Sequence, residues 1–79
     1  MRIPRDISGI QLVKKLRYFG YSLVRQEGSH LRLTTNQNGQ HHITVPNHSP
    51  MRLGTLQNLL KAVAIHHDIS LEEVLQKIK

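Results

Sequence analysis

Apolar residues recur at helical spacing near the start of the chain, and polar residues fill most positions between them. The apolar stripe consists of Leu12, Val13, Leu16 and Phe19. Such a stripe is typical of a helix that packs one face against a core. Ser8 and Gln11 have the spacing of a capping box, and Gly20 is a typical helix stop. The pattern predicts a first helix from about Gly9 to Phe19.

The middle of the chain alternates between apolar and polar residues, as strands with one buried face do. Residues 30–34 and 41–45 alternate in this way, and residues 21–26 form another run that is rich in β-forming residues. Glu27-Gly28-Ser29 is predicted to be the first turn, because Gly28 accepts a positive φ. Asn36-Gln37-Asn38-Gly39 ends in Asn-Gly, a strong hairpin signal, and Pro46 ends the third strand. The pattern predicts a three-stranded antiparallel sheet.

The apolar positions fix the register of the second and third strands. Pairing Leu33 with Ile43 and Leu31 with Val45 places all four side chains on one face. A slip of one residue would turn every side chain over, so this register is strongly specified. The pairs predicted on the opposite, open face are Arg32 with Thr44, Thr34 with His42, and His30 with Pro46.

The register of the first strand stays open. A three-residue turn would point Tyr21 and Leu23 toward the core. A two-residue turn would instead point Val24 inward and place Arg25 on the open face. A bulge in the strand would reconcile the two arrangements, because it adds one residue on one side of the ladder.

Two further apolar stripes follow the sheet. The first predicts a second helix, capped by Thr55, and consists of Leu56, Leu59, Leu60 and Val63. Residues 64–69 interrupt the pattern, so His66 and His67 are expected in a connection. Ser70 and Glu73 have the spacing of a second capping box, which predicts an extra C-terminal helix within residues 70–79. Residues 1–7 are expected to form a loose arm.

The predicted order is α-β-β-β-α with a short C-terminal helix, an α+β fold in one domain over residues 1–79. Helices on one face of a three-stranded antiparallel sheet leave its other face open to solvent. A chain of 79 residues has little room for a large enclosed pocket. We therefore expect a shallow site on the surface.

Charge and composition narrow the function classes. The chain carries 11 Lys and Arg against 5 Asp and Glu, a net charge of +6 that favours a polyanionic partner. It has no cysteine, which excludes disulfides, zinc fingers and thiol catalysis. It also has no apolar run long enough for a signal peptide or a membrane span. A cytoplasmic protein with no membrane partner is expected.

The candidate chemistry centres on His30 at the start of the second strand. An imidazole titrates near neutral pH and can act as a general acid or base. Arg32 lies on the same face and can bind a phosphate through two hydrogen bonds. Together these groups suit cleavage of RNA, in which the ribose 2′-hydroxyl attacks the neighbouring phosphate. His42 and His48 are weaker candidates for a second acid–base or binding role.

Each of these residues also has a simpler explanation. A histidine on a solvated strand face is usually only a polar surface residue, and Arg32 can serve solubility. Lys14 and Lys15 are most simply explained as part of the solvated face of the first helix, although they could contact phosphates. The six histidines show no zinc-like spacing, so no metal is expected. Ser29 precedes His30, but no acidic residue completes a triad.

Several motifs resemble the HicA family, also known as YcfA-like proteins, over roughly residues 8–65. The N-terminal matches are Leu12-Val13-Lys14-Lys15-Leu16, Phe19-Gly20-Tyr21, Val24-Arg25-Gln26 and Gly28-Ser29-His30. Ile43-Thr44-Val45-Pro46-Asn47-His48 resembles the family's strand that ends in Pro-x-His. Gly54-Thr55-Leu56, followed by Leu59-Leu60, resembles its second helix.

The resemblance implies a double-stranded-RNA-binding-like fold and the toxin of a type II toxin–antitoxin pair. It implies an mRNA interferase, an endoribonuclease that arrests translation, with His30 as the catalytic residue in a turn supported by Gly28 and Ser29. The expected RNA-binding residues are Arg32, Arg25, Lys14, Lys15, His48 and His42. The family needs no metal or other cofactor, and its partners are mRNA and a HicB-type antitoxin.

Two features depart from the family pattern. The second helix of the family commonly ends in a glycine, whereas Ile65-His66-His67-Asp68 stands there in this chain. The chain also continues into the predicted C-terminal helix. A non-catalytic RNA-binding module with the same fold is the alternative to the enzyme. A further alternative is a basic face that binds only an acidic antitoxin.

Overall fold

The chain alternates between helical and extended segments much as its apolar pattern predicts. A computed structural model describes residues 3–78. The elements are α1 (Gly9–Leu16), a 3-10 turn (Arg17–Phe19), β1 (Ser22–Glu27), β2 (His30–Thr35), β3 (His41–Pro46), α2 (Leu53–His67) and α3 (Leu71–Lys77). The strands form one antiparallel sheet in the order β1-β2-β3. The α+β, double-stranded-RNA-binding-like class is confirmed, as is the short C-terminal helix.

The register between β2 and β3 is the predicted one. Leu31 pairs with Val45 and Leu33 pairs with Ile43, and all four side chains are buried. The intervening residues of β2 and β3 face the other way and are more exposed. Alternate burial of this kind places the core between the sheet and the helices and leaves the opposite sheet face, the open face, to solvent.

A bulge in β1 reconciles the two arrangements that the sequence leaves open. Glu27 pairs with His30 across a two-residue turn, and the register then shifts between Leu23 and Arg25. Arg25 therefore pairs with Arg32 on the open face, as the two-residue turn predicts. The expectation that Val24 points inward is wrong, because Val24 is the extra residue of the bulge and its side chain is 61% exposed.

Local hydrogen bonds explain why α1 begins and ends where it does. The backbone N–H of Gln11 donates to Ser8 Oγ at 3.1 Å, and that of Ser8 donates to Gln11 Oε1 at 2.8 Å. This is the predicted capping box. The helix tightens into the 3-10 turn and stops at Gly20, whose φ of 81° is left-handed.

The bounds of α2 differ from the prediction at both ends. The helix begins at Leu53 with Arg52 at its N-cap, so Thr55 lies inside the first turn and does not cap it. It also continues through His66 and His67, which the sequence pattern places in a connection. Asp68 ends the helix in the left-handed conformation, with φ of 55°. Asp68 thus adopts the backbone conformation that a terminal glycine would adopt.

Residues near the two termini pack against the core. Ile7, expected in a loose arm, is buried, and its carbonyl oxygen accepts a hydrogen bond from the Met51 N–H at 2.8 Å. Ile3 packs against the same core, whereas residues 1 and 2 lie outside the described residues. At the other end, Ser70 caps α3 by accepting from the Glu73 N–H at 3.1 Å.

Three histidines form a cluster where the β2–β3 hairpin meets the end of α2. The rings of His41 and His66 stack with centroids 4.3 Å apart, and His67 lies next to His66 at 4.9 Å. His66 Nε2 donates to the carbonyl oxygens of Gln37 and Gly39, each at 3.0 Å. The cluster therefore fastens the hairpin loop to the last turn of α2.

The neighbours of His67 favour its neutral form. Asn38 Nδ2 donates to His67 Nδ1 at 3.2 Å, so the proton of a neutral ring is on Nε2. That nitrogen is buried and has no hydrogen-bond partner among residues 3–78. Burial, then His66 and then His41 lower the pKa of His67. Burial, then His66 and then His42 lower the pKa of His41.

We expect the protein to be less stable in mild acid than at neutral pH. Above the ordinary histidine pKa of 6.5, both rings are neutral in the folded and the unfolded chain, and the cluster contributes fully. As the pH falls below that value, the unfolded chain binds protons first. The free energy of unfolding then decreases until the pH has passed the lowered folded-state pKa values. Thermal unfolding at about pH 5 and about pH 7.5 would measure the difference.

A His67→Phe variant is the companion measurement. It keeps an aromatic ring beside Phe19, whose centroid lies 5.1 Å from that of His67, and it removes one of the two titrating groups. The midpoint of thermal unfolding should then vary less with pH than in the parent protein. Equal midpoints of thermal unfolding for the parent protein at both pH values would contradict the lowered pKa values of His41 and His67.

Gly9 allows α1 to approach the end of β3 very closely. A Cβ at this position would overlap the carbonyl oxygen of Pro46 and lie 2.9 Å from the Cα of Asn47. Both obstacles are backbone, so they cannot rotate away as a side chain would. The Gly9 N–H donates to the carbonyl oxygen of His48 at 3.0 Å, which fixes the start of α1 against this loop.

A Gly9→Ala substitution should therefore destabilise the fold by about 1–3 kcal/mol, the usual cost of overpacking. The matched control is Gly54→Ala in α2, where an added Cβ would meet nothing within 4 Å. This control should be neutral or slightly stabilising, since alanine favours helix more than glycine does. Denaturant unfolding of both variants would test the comparison, and equal stability would refute it.

Candidate active site

His30 stands at the first position of β2 and faces solvent. The two-residue turn before it depends on Gly28, whose φ of 58° is left-handed. The carbonyl oxygen of Ser29 accepts a hydrogen bond from the Asn47 N–H at 2.6 Å, which ties the turn to the end of β3. His30 itself pairs with Pro46. The turn residues thus place an exposed imidazole beside the loop between β3 and α2.

A cleft of about 290 Å³ opens at this point, and we refer to it as the histidine cleft. Its lining consists of His30, Pro46, His48, Met51, Arg52 and Thr55. The cleft therefore unites two imidazoles and one guanidinium from separate parts of the chain. Of the residues predicted from sequence, His30 and His48 lie here together.

The β3–α2 loop, residues 47–52, is held by hydrogen bonds on several sides. Asn47 donates to Ser29, the carbonyl of His48 accepts from Gly9, and Met51 donates to Ile7. Each is a backbone bond, and each joins the loop to a different part of the chain. The position of His48 relative to His30 is thus set by main-chain contacts.

The N-terminus of α2 adds positive potential to the cleft. Among residues 3–78, no side chain caps this helix, and its first turn contains no acidic residue. The first N–H groups of a helix lack partners within it, and they favour anions together with the helix dipole. Arg52 at the N-cap and Thr55 in the first turn both line the cleft. The arrangement can hold a phosphate beside the imidazoles.

Arg25 and Arg32 lie next to the cleft on the open face. Both approach the same oxygen of Glu27, Arg25 Nε at 3.1 Å and Arg32 Nη1 at 3.9 Å. The three side chains are about half exposed or more, so these contacts leave them accessible to a ligand. Arg32 thus occupies the predicted face, close to His30 along β2, but outside the lining of the histidine cleft.

His42 lies at the far end of the open face. It pairs with Thr34, and its Nδ1 shares a hydrogen bond with the Thr34 hydroxyl at 2.7 Å. Thr34 is four residues from His30 along β2, a distance of about 13 Å at strand spacing. The structure therefore does not bring His42 into the histidine cleft.

Lys14 and Lys15 belong to α1, on the helical side of the sheet. Lys14 is exposed, whereas Lys15 is partly buried and its Nζ donates to the Ile78 carbonyl oxygen at 3.1 Å. Both line a different cleft, formed with residues 4–7 and Gln11. The two lysines predicted to contact RNA thus stand apart from His30.

Sequence reasoning misses Arg52 and Thr55 as members of the site. With the helix start assigned to Thr55, Arg52 is only a loop residue. The available signal is an arginine directly before a helix whose first turn has no acidic residue. Such a helix start suits an anion.

The described residues contain neither a group of metal ligands nor a membrane-spanning helix. Across residues 3–78, no three potential ligands among His, Asp and Glu are grouped to hold a metal ion. No helix in that range combines the length and the hydropathy needed to cross a membrane.

A comparison with protein families identifies the family of the chain. Residues 9–65 match the family described as the HicA toxin of bacterial toxin–antitoxin. Among curated proteins and among solved structures, no significant match was found. The match covers most of the chain and includes α1, the whole sheet and most of α2, and with them the histidine cleft. The protein therefore belongs to the HicA family, and as a toxin of a toxin–antitoxin system it has an antitoxin as its partner.

Proposed function

We propose that this toxin is an endoribonuclease that cleaves mRNA in the cytoplasm and so arrests translation. One observation carries the proposal: His30, His48 and Arg52 line a single cleft at the N-terminus of α2. RNA cleavage needs a proton acceptor, a proton donor and positive charge at the phosphate, and this cleft supplies groups for all three roles.

In the proposed reaction, the ribose 2′-oxygen attacks the adjacent phosphorus while one imidazole accepts the hydroxyl proton. The bond from phosphorus to the 5′-oxygen breaks, and the second imidazole donates a proton to that oxygen. The products are a 2′,3′-cyclic phosphate and a free 5′-hydroxyl. His30 and His48 are the two imidazoles, and Arg52 with the α2 N-terminus stabilises the negative charge that develops on phosphate. DNA lacks the attacking hydroxyl and should remain intact.

The arginines on the open face have a supporting role in this scheme. Arg32 and Arg25 bind the RNA strand beyond the scissile phosphate, where Glu27 already orients them. Both are exposed, so an incoming phosphate can replace part of the interaction with the carboxylate. The reaction uses no metal ion, since side chains provide every charge and proton that it needs.

The antitoxin partner of this toxin is proposed to be a HicB-type protein that covers the histidine cleft. The net charge of +6 favours an acidic partner surface, since opposite charges speed and orient association. Such a partner would compete with RNA for the same cations.

Substitution of His30 by alanine should lower the rate of RNA cleavage by about 10²–10⁴-fold, the usual contribution of a general acid or base. Single-stranded RNA in the presence of EDTA is the substrate, and His42→Ala is the matched control on the same sheet face. His30 is exposed, so the variant should keep the thermal stability of the parent protein. Cleavage by His30→Ala at the parental rate would refute the catalytic role.

The same assay distinguishes the alternative, a non-catalytic RNA-binding module with the same charge and fold. That module would bind RNA equally well with and without His30 and would cleave it in neither case.

Substitution of Arg52 by alanine should lower kcat/KM for RNA by about 10–150-fold, because a hydrogen bond to a charged group is worth about 1.5–3 kcal/mol. The control is Lys61→Ala, which removes an exposed cation from a later turn of the same helix. A kcat/KM unchanged by Arg52→Ala, or lowered equally by both substitutions, would exclude Arg52 as a phosphate ligand.

A further inference from the structure

The surface beyond the histidine cleft contains two more clefts, and each shares lining residues with the next. A cleft of about 180 Å³ lies on the other side of Met51, between residues 4–6 and Pro50, Met51 and Leu53. A third, of about 490 Å³, extends from residues 4–7 to Gln11, Lys14 and Lys15 on α1. Met51 is common to the first two clefts, and residues 4–6 are common to the last two.

Backbone contacts keep these clefts close together. Gly9 at the start of α1 donates to the His48 carbonyl oxygen at 3.0 Å, and Met51 donates to Ile7 at 2.8 Å. Lys14 is five residues beyond Gly9, a distance of about 7.5 Å along the helix axis. The lysines of α1 are thus a short distance from the loop that carries His48.

Positively charged side chains line all three clefts. The cations in the three linings are Arg52, Arg5, Lys14 and Lys15, and the only carboxylate there is Asp6. Both ion pairs within the described residues involve Glu27, so no carboxylate of residues 3–78 pairs with these four cations, and only Lys15 has a protein acceptor, the Ile78 carbonyl oxygen at 3.1 Å. Arg52, Arg5 and Lys14 are also exposed. Unpaired, exposed cations in a row suit a polyanion with regularly spaced charges.

We propose that the RNA strand leaves the histidine cleft, crosses Met51 and follows residues 4–7 to Lys14 and Lys15. We refer to this path as the basic track. The inference rests on the proposed function, since it takes RNA as the ligand, and it assigns Arg5 and the α1 lysines to substrate binding. RNA is favoured over an acidic protein because the track begins at the residues proposed to cleave RNA.

The experiment measures RNA binding by an Arg5→Ala/Lys14→Ala double variant in the His30→Ala background, so that the RNA stays intact. The probes are single-stranded oligonucleotides of about 4 and about 16 nucleotides, which span the site sizes of small binding domains. The matched control is Arg17→Ala/Lys61→Ala, which removes two exposed cations outside these linings. Thermal unfolding of both double variants verifies that the fold is retained.

We expect the Arg5/Lys14 variant to bind the longer RNA more weakly while its affinity for the shorter one is unchanged. The slope of log affinity against log salt for the longer RNA should fall by about 1.4, since each lost phosphate contact removes about 0.7 on single strands. Equal effects of the two double variants on the longer RNA would overturn the track. Binding of polyglutamate that depends on Arg5 and Lys14, with RNA binding unaffected, would also overturn it and would assign the surface to an acidic protein.

Failure of the track and failure of the proposed function give different results. Cleavage of the shorter RNA by the protein with His30 intact tests catalysis without the track. Loss of affinity for the longer RNA without any cleavage would support the track and refute the ribonuclease. Cleavage that depends on His30, combined with identical binding by the two double variants, would refute the track alone.

Discussion

The loop between β3 and α2 is the constraint on which the site depends. Backbone hydrogen bonds hold it to the turn before His30, to the first residue of α1 and to Ile7 in the N-terminal segment. Main-chain bonds do not require particular side chains, so the loop is held by the shape of the fold itself. It carries His48 and ends at Arg52, and through it the sheet, α1 and the N-terminal segment all contribute to the position of the cleft.

The close contact at Gly9 shows how a distant position supports this loop. Glycine is the residue that lets the backbone of α1 reach the end of β3 without a steric overlap. The cleft is therefore shaped in part by a residue that does not line it. The site is formed where several segments of the chain meet, and not by β2 alone.

Sequence reasoning succeeds where a pattern is local or strictly periodic. The β2–β3 register follows from the alternation around Leu31 and Leu33, and the start of α1 follows from Ser8 and Gln11. It also places His30 on the open face, because a period of two leaves no other choice. The family of the chain is recognisable for the same reason, since the Gly-Ser-His turn and the Pro-x-His segment are continuous in sequence.

The errors arise where long-range contacts decide the structure. No side-chain cap marks the start of α2, so the sequence does not show that the helix begins at Leu53, directly after Arg52. His66 and His67 have low helix propensity beside Asp68, yet the helix continues through them because they pack against the hairpin. The sequence also does not show where Lys14 and Lys15 lie relative to His30, because the placement of α1 behind the sheet is a long-range feature. Neither spacing nor charge in the sequence contains that information.

The bulge in β1 has a consequence for the protein's behaviour at high concentration. In the described part of the chain, β1 has a strand neighbour only on its β2 side, so its outer backbone groups face solvent. An exposed edge with regular spacing is a template on which further chains can assemble into fibrils. The extra residue at Val24 breaks that spacing, and the charged Arg25 next to it opposes stacking. The irregularity that aims Arg25 at the open face thus also protects this edge from aggregation.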